Sequence, residues 1–94
     1  MKYTQTTLDK IGKLIEETGY IVRYERGSFQ SGFCILEDKK VVVLNKFLQL
    51  EGRINTLIDL IPQLKIEVGI LTPESRKVFN DMGRYHAAGG NNKD

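Results

Sequence analysis

Two short runs in which every residue is apolar, Phe33–Leu36 and Val41–Leu44, are separated only by Glu37, Asp38, Lys39 and Lys40. Apolar runs this short, bounded by turn residues, predict strands buried on both faces, and the charged break between them predicts a hairpin. The chain then enters a helical pattern, with Leu50, Ile54, Leu57, Ile58 and Ile61 on one stripe of a 3.6-residue period. Pro62 lacks an amide donor and disfavours helical angles in the residue before it, so this helix is expected from about Gln49 to Ile61. Hairpin and helix hold the densest stretch of large apolar residues, and the other elements must pack around them.

Upstream, Thr6 and Asp9 have the spacing of a capping box, which predicts a helix from about Thr7 to Thr18. Leu8, Ile11, Leu14 and Ile15 form its apolar stripe, and Gly19 ends it. Tyr20 to Arg26 alternates, with Tyr20, Val22 and Tyr24 on one side and Ile21, Arg23 and Glu25 on the other, as a half-buried edge strand does. A loop rich in Gly and Ser follows, and its Phe29 is expected to fold back onto the core. Downstream of Pro62, Leu64, Ile66 and Val68 alternate with charged residues and predict an extended segment. Thr72, Pro73 and Glu74 are a helix start, Val78, Phe79 and Met82 a buried face, and Gly83 a stop.

The expected fold is therefore α+β: a helix, a three-stranded antiparallel meander in sequence order, a second helix, an extended segment and a short C-terminal helix. Residues 4–83 are expected to form one domain and residues 84–94 a disordered tail. Helices one and two are expected on one sheet face, with Leu64–Met82 against the other face or an edge. Because both strands of the hairpin are apolar on both sides, one layer of helices covers only half of them. Whatever stays open calls for a protein partner or a second copy of the chain.

Composition narrows the function by exclusion. The 94 residues carry a formal net charge of +2, with lysine and arginine scattered, whereas nucleic-acid binders concentrate their basic residues on a face. No apolar run approaches the roughly 18 residues of a membrane span, and Met1–Thr7 lacks the apolar core of a signal peptide. A cytoplasmic protein that binds neither nucleic acid nor membrane is expected. One cysteine and one histidine fall short of the three or four ligands of a zinc site, so neither metal nor cofactor is expected.

Cys34 is the weak candidate thiol, with His86 as the base that could activate it. Its setting between Phe33 and Ile35 predicts a buried, unreactive side chain. Glu16 with Glu17 and Glu37 with Asp38 are adjacent carboxylates, but neither pair has the geometry of a general acid and base. Ser28 and Ser31 have no histidine near them in sequence. No catalytic, cofactor or metal residue is assigned.

From Gly32 to Leu64 the order of elements resembles the hairpin and helix of the ImmA/IrrE group of zinc metallopeptidases, whose helix bears an H-E-x-x-H motif. Val42-Val43-Leu44-Asn45 stands at the strand end, and Ile58-Asp59-Leu60-Ile61-Pro62 where the motif would lie. The metal ligands are absent, Asp59 alone keeps a carboxylate, and neither metal binding nor proteolysis carries over. The chain is also similar to small uncharacterised bacterial proteins with a Gly-x-Cys segment, an apolar strand ending near Asn-Lys, and a helix. The expected function is that of a non-enzymatic domain acting through protein contacts; the alternative is an enzyme remnant, or a thiol enzyme using Cys34.

Overall fold

A computed structural model of the chain describes residues 2–36 and 38–85, and the side chains of these except at 34–36, 84 and 85. In chain order the elements are α1 (Gln5–Glu17), β1 (Tyr20–Glu25), β2 (Gly32–Leu36), β3 (Lys39–Asn45), α2 (Leu50–Leu64), a 3₁₀ turn (Val68–Ile70) and α3 (Pro73–Tyr85). The α+β class holds, but the meander does not.

The sheet order is β1-β3-β2, with β1 parallel to β3 and β2 antiparallel to it. Register runs from Tyr20 opposite Lys40 to Glu25 opposite Asn45 on one side, and from Gly32 opposite Val43 to Leu36 opposite Lys39 on the other. The central position goes to β3, the longer of the two strands with four consecutive apolar residues, 7 residues against 5, and it has a neighbour on each side. β1, whose alternate residues are polar or exposed, takes an edge. A meander would have placed β2, with its own apolar run Phe33–Leu36, at the centre instead.

Helix α1 starts two residues earlier than the Thr6 box predicts. Thr4 is the cap, its hydroxyl accepting from the Thr7 amide at 3.1 Å, and Thr6 lies exposed within the first turn. Gly19, at φ +95°, takes the left-handed conformation beyond the helix end. Pro62 does not stop α2, which continues to Leu64 and closes on Lys65 in the left-handed region. Ile61 and Leu64 are both buried, and their burial outweighs one missing backbone bond in a last turn. The expected extended segment is only partly so, because Val68–Ile70 coils into the 3₁₀ turn. Gly83 likewise fails to end α3, since a glycine in a helix costs only about 1 kcal/mol; the tail expected from residue 84 thus begins inside a helix, and residues 86–94 lie outside the described residues.

The core is one cluster on one side of the sheet: Leu8, Ile11, Leu14 and Ile15 of α1, Tyr20, Val42 and Leu44 of the sheet, Ile54, Leu57, Ile58 and Ile61 of α2. Leu64, Leu71 and Met82 belong to the same cluster, and α3 packs on α1. Leu64–Met82 therefore does not cover the second sheet face, one of the two places expected for it. Phe29 is no part of the core either.

Glu17 holds α3 in place. Its carboxylate accepts from the Thr72 amide and hydroxyl, each at 3.0 Å, and from the Ser75 hydroxyl at 2.9 Å, joining the end of α1 to the start of α3. The Thr72 amide bond, ahead of the opposing cost of desolvation, holds the carboxyl below its ordinary value of 4.5. A depressed folded value means stability that is present above the unfolded value and is lost as pH falls through the folded one. Glu17→Gln is therefore expected to lower the denaturant midpoint at pH 7, with the gap from the unsubstituted chain closing as pH falls below about 4. A gap that stays constant with pH would sink this assignment.

Candidate functional site

Asn45, the last residue of β3, organises the end of the sheet. Its side-chain amide donates to the carbonyls of Gly27 at 2.9 Å and Phe29 at 2.8 Å, and its side-chain oxygen accepts from the Phe47 amide at 3.0 Å. Its own backbone amide donates to the Ser31 hydroxyl at 2.8 Å. Three of these bonds tie the β1–β2 loop across the end of the central strand, and the one from Phe47 closes the turn that follows it. Gly27 meets that loop's demands at φ +146°, and a Cβ there would press on the Phe29 ring at 3.3 Å.

Next to this clamp lies an open cleft of about 490 Å³, lined by Phe29, Ser31, Asn45, Phe47, Thr56 and Asp59 among others. Phe47 is 70% exposed at its mouth. Arg53 fixes the floor of the turn, donating to the carbonyls of Leu48 at 2.9 Å and Lys46 at 3.0 Å, with its guanidinium 5.0 Å from the centre of the Tyr24 ring. Burial pushes the Tyr24 phenol up despite that cation.

Ile58 and Pro62, one helical turn apart on α2, line a second, apolar cavity of about 420 Å³ with Ile61, Ile66, Phe79 and Met82. Asp59, between them in sequence, is exposed and belongs to the Asn45 cleft. The three positions set against the metallopeptidase motif are thus divided between two surfaces. Among the described residues no group of three His, Cys, Asp or Glu side chains could hold a metal ion.

The backbone of Cys34 pairs with Val41 in the β2–β3 ladder; its side chain, and His86 altogether, lie outside the described residues. Of the paired carboxylates, Glu17 is engaged at the start of α3 and Glu16 is exposed. Glu37 lies outside the described residues. Ser31 is engaged by Asn45, and Ser28 is exposed. The alternation of β1 is as expected: Tyr20 and Val22 face the core, and Tyr20 meets the Phe33 ring edge-on at 6.4 Å.

The opposite side of the sheet carries Ile21, Arg23, Val41 and Val43. Parallel register sets Ile21 beside Val41 and Arg23 beside Val43. Val41 is buried yet lies outside the core cluster, while Ile21 is 48% exposed. Arg23 and Glu25 form an ion pair at 2.8 Å on the same side. Compared with family models, curated proteins and solved structures, the chain matches none. Among the described residues, no helix is long and apolar enough to cross a membrane.

Proposed function

We propose that the chain is a small non-enzymatic cytoplasmic domain that binds protein, either a partner or a second copy, through the sheet side its helices leave bare. The observation that carries this reading is Ile21, nearly half exposed beside Val41 on a face to which none of the three helices contributes core. One exposed isoleucine is ordinary on a protein surface. Here Ile21 stands beside half-buried Val43 and buried Val41 on one face, an apolar row whose exposed end binding would cover. The lone cysteine fits a reducing compartment.

One observation favours a second reading, an enzyme remnant. Ile58 and Pro62 stand where the resemblance to metallopeptidases would put ligands, and both line an apolar cavity. On that reading a site has become packing, and the protein-binding role stands beside it.

The test is a photo-crosslinking amino acid placed at Ile21 in living cells, with Glu51 on the exposed face of α2 as control. A defined protein adduct is expected from position 21 and none from position 51. Equal trapping at both positions, or none at position 21, removes the bare side as the contact surface.

A further inference from the structure

We propose that β1 pairs antiparallel with β1 of a second copy, about a twofold axis at Tyr24, so that two three-stranded sheets join into one of six strands. This goes beyond the reading of the bare sheet side as a contact surface, because it uses the backbone edge of β1 and leaves that side of both sheets uncovered.

The backbone of β1 is open along one edge. The Glu25 carbonyl accepts from the Lys46 amide at 2.7 Å, which turns the peptide groups of Ile21, Arg23 and Glu25 toward β3. Peptide groups alternate sides along a strand, so those of Tyr20, Val22 and Tyr24 point away from the sheet. Among the described residues no backbone group outside the sheet bonds to them. Natural edges are commonly guarded by proline, by charged side chains, lysine above all, or by a bulge. Tyr20–Glu25 contains neither proline nor lysine and pairs with β3 at six consecutive positions without a bulge.

Charge selects the occupant and the register. Arg23 and Glu25 flank Tyr24 on one face, with side chains 60% and 45% exposed. An axis at Tyr24 sets Arg23 opposite Glu25 of the second copy, and Glu25 opposite its Arg23. Tyr24 then faces its own counterpart as the pair that exchanges two backbone hydrogen bonds, which its outward peptide groups permit. An axis at Arg23 would still let the outward peptide groups of Val22 and Tyr24 pair, but it opposes Arg23 to its own counterpart, like charge to like. An axis at Val22 sets Arg23 against Ile21. The charge pattern of β1 is thus complementary to itself, and a second copy of the chain supplies that complement. Pairing over residues 22–26 buries less than the roughly 1,200–2,000 Å² of a standard interface, so association is concentration-dependent.

The test is sedimentation equilibrium of the full chain up to about 1 mM, the range of weak self-association, with Arg23→Glu, Glu25→Arg and their equimolar mixture. The unsubstituted chain is expected to dimerise, and each variant alone about tenfold more weakly, because two attractive cross-strand pairs become repulsive. The mixture is expected to recover the dimer, since Glu at 23 and at 25 in one chain then face Arg at 25 and at 23 in the other. Overall charge predicts the opposite order: from +2, Arg23→Glu gives 2 − 2 = 0 and Glu25→Arg gives 2 + 2 = +4, so the first variant alone would associate best. Val22→Pro removes an outward donor, leaves the bonds to β3 in place, also gives up the packing of Val22 on the core, and is expected to abolish the dimer in a chain that still folds. A monomeric unsubstituted chain, a mixture no more associated than its components, or a folded Val22→Pro that dimerises unchanged would each overturn the edge pairing. A dimer that survives Val22→Pro and is lost in Ile21→Glu would place the contact on the sheet face, so the proposed function stands while the edge pairing falls.

Discussion

Leu57→Ala is expected to lower the unfolding free energy by about 2–5 kcal/mol, the range for truncating a buried leucine whose surroundings close only partly over the cavity. Leu57 is fully buried in the cluster that α1, α2 and the sheet share, so no flexible surface segment can collapse into the space. The measurement is a urea titration followed by far-ultraviolet circular dichroism, with the midpoint expected to fall and the slope to stay constant. Ile21→Ala, on the bare side of β1, serves as the comparison. Its side chain is half exposed, and its change is expected within about 0.5 kcal/mol, as for surface substitutions in general. Equal effects at the two positions would mean that inside and outside have been assigned the wrong way round.

The second large effect is expected at Asn45. Asn45→Ala removes both donors to the Gly27 and Phe29 carbonyls and the acceptor for Phe47, at a cost of about 1–3 kcal/mol. Asn45→Asp is nearly isosteric yet expected to be worse at neutral pH, because an ionised carboxylate has no proton to donate and sets negative charge against two carbonyl oxygens. That repulsion raises the folded pKa of the introduced carboxyl above its unfolded value near 3.9. The destabilisation is accordingly present above the folded pKa and relieved as pH falls through it, when the protonated acid can donate to one carbonyl. Denaturant midpoints of the two variants should therefore converge on acidification. If Asn45→Asp is the more stable at pH 7, the clamp is not held by its donors.

Local periodicity made much of this fold legible. Leu8, Ile11, Leu14 and Ile15 recur at helical spacing and are all buried, and Tyr20 and Val22 were placed correctly against Ile21 and Arg23 by alternation alone. Strand neighbours are not a local property. The choice between β2 and β3 as the partner of β1 is a competition for the centre of the sheet between two equally continuous apolar runs, Phe33–Leu36 and Val41–Leu44, and local pattern does not separate them. Asn45 reads in sequence as a strand end, and its role depends on carbonyls 16 and 18 residues earlier. Glu17 reads as one half of a surface carboxylate pair, and its partners lie 55 and 58 residues away. Neither separation leaves a period in the sequence. The boundaries at Pro62 and Gly83 moved for a related reason: buried Ile61, Leu64 and Met82 hold turns that backbone preference alone would release.

The sheet order also sets a sequence of events during synthesis. β1 emerges first but borders only β3, so a growing chain carries Tyr20–Glu25 without a neighbour until residues up to Asn45 have followed. The β2–β3 hairpin is the first pair that can close, and as a local structure it forms on the microsecond scale. β1 must then be brought back alongside β3 through the span that contains β2, a longer loop with a larger closure entropy. The strand made earliest is thus the last to join, and a chain halted before Lys39 has no sheet to offer it.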